Sequence, residues 1–215
     1  MPPMRLLSLT LGVLVLAAIW LGPLLSEWRE SFAAHMLAHM GVVTIAAPLI
    51  AFGLRDAFGS GKVARASRYL ALPVVASLVE FIVVWGWHAP APRAWVERSF
   101  AATALEQGSF LAAGLFLWLS CLAIGTREDM AHRAAGAFGL LLTTVHMTLL
   151  GALLGLSPRP LYGPGDVVCF GTTLTAAQDQ QLGAVIMLLV GAAVYLAGGV
   201  ALMAGVLAGR SRMVA

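Results

Sequence analysis

The chain has 215 residues, of which 60% are hydrophobic and 11% are charged, and its mean hydropathy is +0.89. Soluble domains average about 25% charged residues, so this chain has too little charge to present a polar surface to water on every side. The composition excludes an ordinary water-soluble protein and predicts one all-α integral membrane domain over residues 1–215. The net charge of +3 is modest, and we do not expect the chain to bind nucleic acid.

Six apolar stretches approach or exceed the roughly 20 residues that a membrane-spanning helix needs. They predict a polytopic bundle of about six transmembrane helices, at approximately Met4–Leu25, Phe32–Leu54, Tyr69–His88, Phe100–Ile124, Ala134–Leu156 and Gln181–Ala208. The first stretch is longer than the apolar core of a signal peptide and no A-x-A-like site follows it. We therefore expect the first helix to be retained.

Basic residues are distributed unevenly between the two sides of this bundle. With the N-terminus inside, nine fall on the inner side: Arg5, Arg55, Lys62, Arg65, Arg68, Arg127, Arg133, Arg210 and Arg212. Four fall on the outer side: Arg29, Arg93, Arg98 and Arg159. The positive-inside rule then predicts that both termini are cytoplasmic.

The second predicted helix carries a repeated His-Met pair, His35-Met36 and His39-Met40. Residues four apart lie above one another on a helix, so the two histidines form one stripe and the two methionines form another. Ionisable groups are costly in hydrocarbon and mark a functional site by default. Imidazole and thioether together suit copper, especially Cu(I). The stripes therefore predict a copper site in the outer half of the membrane.

Further polar residues share that outer half. They are His88 at the end of the third helix, Glu106 and Gln107 at the start of the fourth, His146 and Met147 within the fifth, and Asp179, Gln180 and Gln181 at the start of the sixth. Four of the five histidines thus lie on the outer side, and His132 is assigned to a cytoplasmic loop. The clustering is more specific than any single residue.

Each feature also has a simpler interpretation. A lone intramembrane histidine often bonds a neighbouring helix, and methionines are more often packing residues than ligands. For Glu80, a buried hydrogen-bonded acid or a proton relay is favoured over direct ligation. Cys121 and Cys169 are predicted at opposite faces, too far apart for a disulfide, and Cys169 is left out of the ligand set.

Two connections between the helices are distinctive. Residues 157–178 form a long outer loop rich in Pro and Gly, which is predicted to lie over the histidine cluster. Residues 53–68 carry three basic residues at a spacing of three, which favours a short helix on the anionic inner leaflet. No Walker A, G-x-G-x-x-G or H-E-x-x-H motif is present.

The chain resembles the caa3-type cytochrome c oxidase assembly factor (CtaG) family over approximately residues 32–196. The resemblance is carried by the runs HMLAHMGVVTIAAPLIAFG, WGWHAPAP, ALEQGSFLAAGLFLWL, GALLGLSPRPLY and DQQLGAVIMLLVGAAVYL. It singles out His35, His39, His88, His146, Asp179 and Met187. The chain departs from the family pattern at Gln107, where a histidine would be expected after the glutamate, and it has fewer spans than longer members.

The resemblance implies a multi-pass protein of the bacterial plasma (inner) membrane that helps assemble haem-copper oxidase and supplies copper to its CuB centre. The implied partners are the catalytic subunit of that oxidase, a periplasmic copper donor and membrane lipid. No enzymatic activity is expected. The alternatives are a membrane cytochrome with His39 and His146 as axial haem ligands, and an assembly scaffold that binds no metal.

Residues and resemblance together define the candidate site. The candidate copper ligands, with Cu(I) as the expected ion, are His35, His39, His88, His146, Met36, Met40, Met147 and Met187. The candidate second-shell or gating residues are Asp179, Glu80 and Glu106.

Overall fold

The computed structural model describes residues 3–58, 70–122, 130–163 and 165–214, and these are predominantly helical. The α-helices are α1 (Pro3–Leu21), α2 (Phe32–Met40), α3 (Ala47–Phe58), α4 (Leu72–Trp87), α5 (Pro90–Arg98), α6 (Phe100–Leu122), α7 (Met130–Gly155), α8 (Ala176–Ile186) and α9 (Ala192–Val214). Two π-helical segments, Gly41–Ala46 and Met187–Gly191, join α2 to α3 and α8 to α9. A short antiparallel hairpin, β1 (Val167–Cys169) and β2 (Thr172–Leu174), precedes α8.

Five helices in the described part of the chain are long and apolar enough to cross a membrane. They are Pro3–Leu21, Phe32–Arg55, Phe100–Leu122, Met130–Gly155 and Ala176–Ala208. A sixth span exists only if α4 and α5 count as one, because the chain bends by 70° between them. The 16 residues of α4 rise only about 24 Å at 1.5 Å per residue, less than a hydrocarbon core of about 30 Å. The prediction of a polytopic all-α bundle is confirmed, and its sidedness stays a prediction.

Several helix ends differ from their predicted positions. Helix α1 ends at Leu21 rather than Leu25, because Pro23 cannot continue a helix and restricts Gly22 before it. Helix α8 begins five residues earlier than predicted, since Thr175 and Gln178 form a capping box at its start. Each of these two residues accepts the backbone N–H of the other with its side-chain oxygen. A prediction based on the length of the apolar run does not detect such a cap.

The assignment of His132 to a loop is wrong. Helix α7 begins at Met130, and His132 is buried in its first turn with Nε2 3.2 Å from the Ser120 carbonyl oxygen. The predicted basic surface helix falls mainly on residues 59–69, outside the described residues, as do the predicted ends at Tyr69 and Ile124.

Helix α2 lies in the interior of the bundle. Of its nine residues only Leu37 is exposed, and a helix that is buried on nearly all sides is a core helix. Its close neighbour is α8, where a Cβ placed at Gly183 would lie 2.5 Å from Cδ1 of Phe32. Only glycine permits that approach. Beyond α2, the indole N–H of Trp118 donates to the Val43 carbonyl of the first π-segment (2.9 Å).

We call the end of the bundle where α2 begins and α4 ends the histidine end. The turn before α2, helix α5 and the loop that precedes α8 meet there. The side chain of Arg29 donates to the Val96 carbonyl (2.8 Å), and Arg93 donates to the Arg29 carbonyl (3.0 Å). These bonds join the turn before α2 to α5 at the histidine end.

Candidate functional site

Three buried imidazoles form a cluster at the histidine end. His35 and His39 lie one turn apart on α2, and His88 caps the C-terminus of α4. The ring centroid of His88 is 5.8 Å from that of His35 and 5.4 Å from that of His39. Phe110 of α6 packs against the group, 4.0 Å from His39. We call His35, His39 and His88 the histidine cluster.

The histidine cluster contains four ring nitrogens without a hydrogen-bond partner. They are Nε2 of His35, both nitrogens of His39, and Nε2 of His88. The other nitrogen of His88, Nδ1, lies 2.6 Å from the Val84 carbonyl oxygen, which directs Nε2 away from its own helix. Buried polar atoms in folded proteins nearly always have a partner, and an exception calls for a ligand, a water or an ion. Four exceptions in one cluster make it the candidate binding site.

Glu106 places a buried carboxyl group beside this cluster. Its side chain is fully buried, with Oε2 3.6 Å from Nδ1 of His35 and 3.3 Å from the donating amide of Gln107. Its other oxygen, Oε1, has no partner. A cavity of about 10 Å³ lies between Glu106, His35 and Arg93, roughly the space that one water needs. The structure therefore places Glu106, a predicted gating residue, next to a predicted ligand.

Arg93 is the buried cation of this region. Its Nε lies 3.1 Å from Oε1 of Glu97, one turn along α5, and its Nη2 donates to the Arg29 carbonyl. Charge neutralisation by Glu97 allows a guanidinium to remain buried here. Arg93 was not singled out from the sequence, because a lone arginine in a presumed outer loop gives no sign of burial.

Tyr162 covers the histidine cluster from the loop side. Its ring stacks on Phe32, with centroids 4.4 Å apart and an interplanar angle of 18°, and its hydroxyl donates to the His88 carbonyl (2.7 Å). Phe32 in turn contacts the rings of His35 and His88. Burial raises the pKa of the Tyr162 phenol, so the hydroxyl keeps its proton and donates at physiological pH. At Tyr162, the predicted position of this loop over the cluster is confirmed.

Asp179 does not contact the imidazoles but binds the start of the helix that carries two of them. Its Oδ1 accepts from the Ser31 hydroxyl (2.7 Å) and the Ala33 N–H (3.1 Å), and its Oδ2 accepts from the Phe32 N–H (2.5 Å). Ser31 is the N-cap of α2. An acid in the first turn of one helix thus caps a second helix, a role that the sequence analysis of Asp179 did not predict.

The four candidate methionines lie on another side of α2 from the histidine cluster. Met36, Met40, Met147 and Met187 are all fully buried in the main hydrophobic core. Positions 36 and 40 are turned about 100° from positions 35 and 39 on a helix of 3.6 residues per turn. Accordingly, Met36 packs against Gly183 of α8, and the Met40 sulfur lies 3.8 Å from a Cβ placed at Gly191. The described contacts of Met36 and Met40 are thus with α8 and the second π-segment, whereas those of His35 and His39 are with His88 and Phe110.

His146 and Glu80 also lie apart from the histidine cluster. The His146 ring packs 5.5 Å from Phe81, which precedes His88 by seven residues, or about 10 Å along α4. Glu80 is fully buried and accepts a hydrogen bond from the Tyr195 hydroxyl of α9 (2.7 Å). The interpretation of Glu80 as a buried hydrogen-bonded acid is confirmed.

The histidine cluster offers imidazole donors but not the finished geometry of a metal site. Among the described residues, no group of three or more His, Cys, Asp or Glu side chains is arranged to hold a metal ion. Two imidazoles that share one ion through bonds of about 2 Å have ring centroids roughly 5–6.5 Å apart. The centroid distances from His88 to His35 and His39, 5.8 Å and 5.4 Å, fall in that interval. Rotation of the imidazole rings, without a shift of their helices, would therefore bring these pairs to distances suited to one ion.

Comparisons with known proteins agree with the resemblance in the sequence. The family model described as cytochrome c oxidase caa3 assembly factor matches residues 1–208. Searches of curated proteins and of solved structures each found no match. Because the family match covers nearly the whole chain, the protein belongs to the cytochrome c oxidase caa3 assembly factor family.

Proposed function

We propose that this membrane assembly factor binds Cu(I) as its cargo at the histidine cluster and delivers it to the CuB centre of a haem-copper oxidase. The observation that carries the proposal is the set of four buried ring nitrogens without partners. A folded protein gains nothing from leaving them unpaired, since each costs the desolvation of a polar group. Coordination of a metal ion would satisfy these nitrogens.

The donor set suits a carrier that must release its ion. Neutral imidazoles bind copper well and Mg²⁺ or Ca²⁺ poorly. Cys121 lies on α6 and Cys169 in the hairpin, and both are free and buried. The proposed site therefore does not include a pair of cysteine thiolates, which would bind Cu(I) more tightly than imidazoles. His35, His39 and His88 are therefore proposed as the ligands, and the catalytic subunit of the oxidase as the recipient. A periplasmic copper donor would load the site.

Glu106 supports a cation in this position. An ion bound only by neutral imidazoles would carry an uncompensated charge into a low-dielectric interior, which is expensive. The Glu106 carboxyl group, 3.6 Å from His35, would offset that charge. Arg93 acts in the opposite direction, but Glu97 already pairs with it. The net effect of the buried charges is thus favourable to a single positive ion.

The haem alternative is less well supported by the geometry. A haem held by His39 and His146 needs both rings to face one porphyrin-sized space. In the structure, His39 packs against Phe110 and His88, whereas His146 packs against Phe81. An absorption spectrum of the purified protein distinguishes the two proposals, since a bound haem gives a Soret band and Cu(I) does not.

A competition titration tests the proposal directly. The purified protein in detergent is titrated with Cu(I) against a chromophoric chelator, and His39→Ala is compared with the wild type. His132→Ala is the matched control, because His132 is also a buried helical histidine but bonds the Ser120 carbonyl and lies outside the histidine cluster.

The proposal expects a clear loss of affinity in His39→Ala and wild-type affinity in His132→Ala. Equal affinity of His39→Ala and the wild type would overturn copper binding at this cluster. The same loss in both variants would show that the effect comes from disturbed packing rather than from a lost ligand.

A further inference from the structure

Asp179 and Gln180 form hydrogen bonds to two segments that adjoin the histidine cluster, the start of α2 and the loop that carries Tyr162. Asp179 accepts three hydrogen bonds from residues 31–33 at the start of α2. The side chain of Gln180 accepts from the Leu161 N–H (2.7 Å) and donates to the Leu154 carbonyl (2.9 Å). Leu161 precedes Tyr162, which covers the cluster. Two adjacent residues of α8 thus hold the helix that carries His35 and the loop that contacts His88.

The Asp179 contact is strong for two physical reasons. The first N–H groups of a helix have no partner within the helix, and a carboxylate that accepts them forms charge-assisted bonds. The negative charge also interacts favourably with the positive N-terminal end of the α2 dipole. Since Asp179 and Ser31 are both buried, water does not compete for these bonds.

The position of α2 determines where two of the three imidazoles lie. His35 follows Ala33, the last residue that Asp179 bonds, by two positions, and its ring must meet that of His88, which belongs to a different helix. Small displacements of α2 along its axis therefore change the distance between the rings. Gly183, four residues after Asp179, maintains the same α2–α8 contact on the next turn through its close approach to Phe32.

We infer that Asp179 is a positioning residue of the copper site, and that its cross-helix cap holds α2 at the depth where His35 and His39 meet His88. Gln180 holds the covering loop in register with that helix. This inference rests on the proposed function. It assigns Asp179 and Gln180 a role through hydrogen bonds to the start of α2 and to the covering loop, without contact to the cargo.

Asp179→Asn tests the inference, and Thr175→Ala is the matched control. Asparagine presents an N–H₂ group to at least one backbone donor of α2 and loses the charge. Thr175 caps α8 itself, so its replacement weakens the same helix without touching α2. For each variant, Cu(I) affinity is measured on the monodisperse protein by chelator competition, together with the thermal unfolding midpoint.

Asp179→Asn is expected to lose about 10-fold or more in Cu(I) affinity, as is typical for residues that orient ligands from outside. Thr175→Ala should retain wild-type Cu(I) affinity even if its thermal unfolding midpoint falls as far as that of Asp179→Asn. Equal affinities of the two variants would overturn the positioning role. If Asp179→Asn does not accumulate, Ser31→Ala, which removes one of the three bonds, is compared with Thr175→Ala by the same criterion.

His39→Ala in the same titration separates the two proposals. If His39→Ala binds Cu(I) like the wild type, the proposed function is wrong. If His39→Ala is weakened and Asp179→Asn is not, copper binding stands and only the positioning role is wrong.

Discussion

The contact between α8 and α2 at Gly183 yields a quantitative prediction for Gly183→Ala. The new methyl carbon would lie 2.5 Å from Cδ1 and 2.8 Å from Cε1 of Phe32, whereas ordinary contact begins at 3.4 Å. The Phe32 ring must therefore withdraw by about 0.9 Å. Overpacking of a core costs about 1–3 kcal/mol, and alanine regains up to about 1 kcal/mol of helix propensity. We expect a net loss of up to about 2 kcal/mol relative to the wild type, and of about 1–3 kcal/mol relative to a helical Gly→Ala change without overpacking.

The free energy of unfolding in mixed micelles, followed by circular dichroism, measures this loss. Gly108→Ala is the control, because Gly108 also lies within a helix and no atom lies within 4 Å of its added methyl. That variant should be as stable as the wild type or more stable. Because Phe32 contacts His35 and His88, Gly183→Ala should also weaken Cu(I) binding. A Gly183→Ala protein as stable as Gly108→Ala would refute the described α2–α8 packing.

Three further variants test other contacts. Tyr195→Phe removes the hydroxyl that donates to the Glu80 carboxyl group and should lower the free energy of unfolding by about 1–2 kcal/mol. Tyr162→Phe keeps the stacking on Phe32 but loses the bond to the His88 carbonyl, so a chelator should remove Cu(I) faster than from the wild type. His146→Ala should retain wild-type Cu(I) affinity, because its ring lies outside the histidine cluster.

Each of these variants has a result that would count against the account. Unchanged stability of Tyr195→Phe would mean that the buried carboxyl group finds another partner. Wild-type release kinetics in Tyr162→Phe would show that the loop does not limit exit of the ion. A large loss of affinity in His146→Ala would return His146 to the ligand set and place the site deeper in the bundle.

The class of fold and the region of the site were predictable from sequence, because both depend on features that are local in the chain. Long apolar runs indicate spanning helices whatever their neighbours are. The spacing of His35 and His39 places them on one helix face in the same way. The predicted orientation then grouped them with His88 and Glu106, which the structure also brings together.

The division of the candidate ligands between two sides of α2 was not predictable, because it depends on which helices surround α2. The sequence places Met36 beside His35 in the chain, but it does not show that α8 faces the one and that α4 and α6 face the other. The cross-helix bond from Asp179 to Ser31 joins residues 148 positions apart. Hydrogen bonds of that separation leave no periodic signal, whereas the local capping box at Thr175 does.

Copper content of the oxidase itself tests the central claim most directly. The oxidase is purified from cells that carry the wild-type chain, His39→Ala or His132→Ala, and copper and haem are measured in each preparation. The account predicts that oxidase from His39→Ala cells lacks CuB copper but retains its haem, and that oxidase from His132→Ala cells is fully loaded. Oxidase with full CuB occupancy from His39→Ala cells would contradict the claim that the histidine cluster carries copper to its recipient.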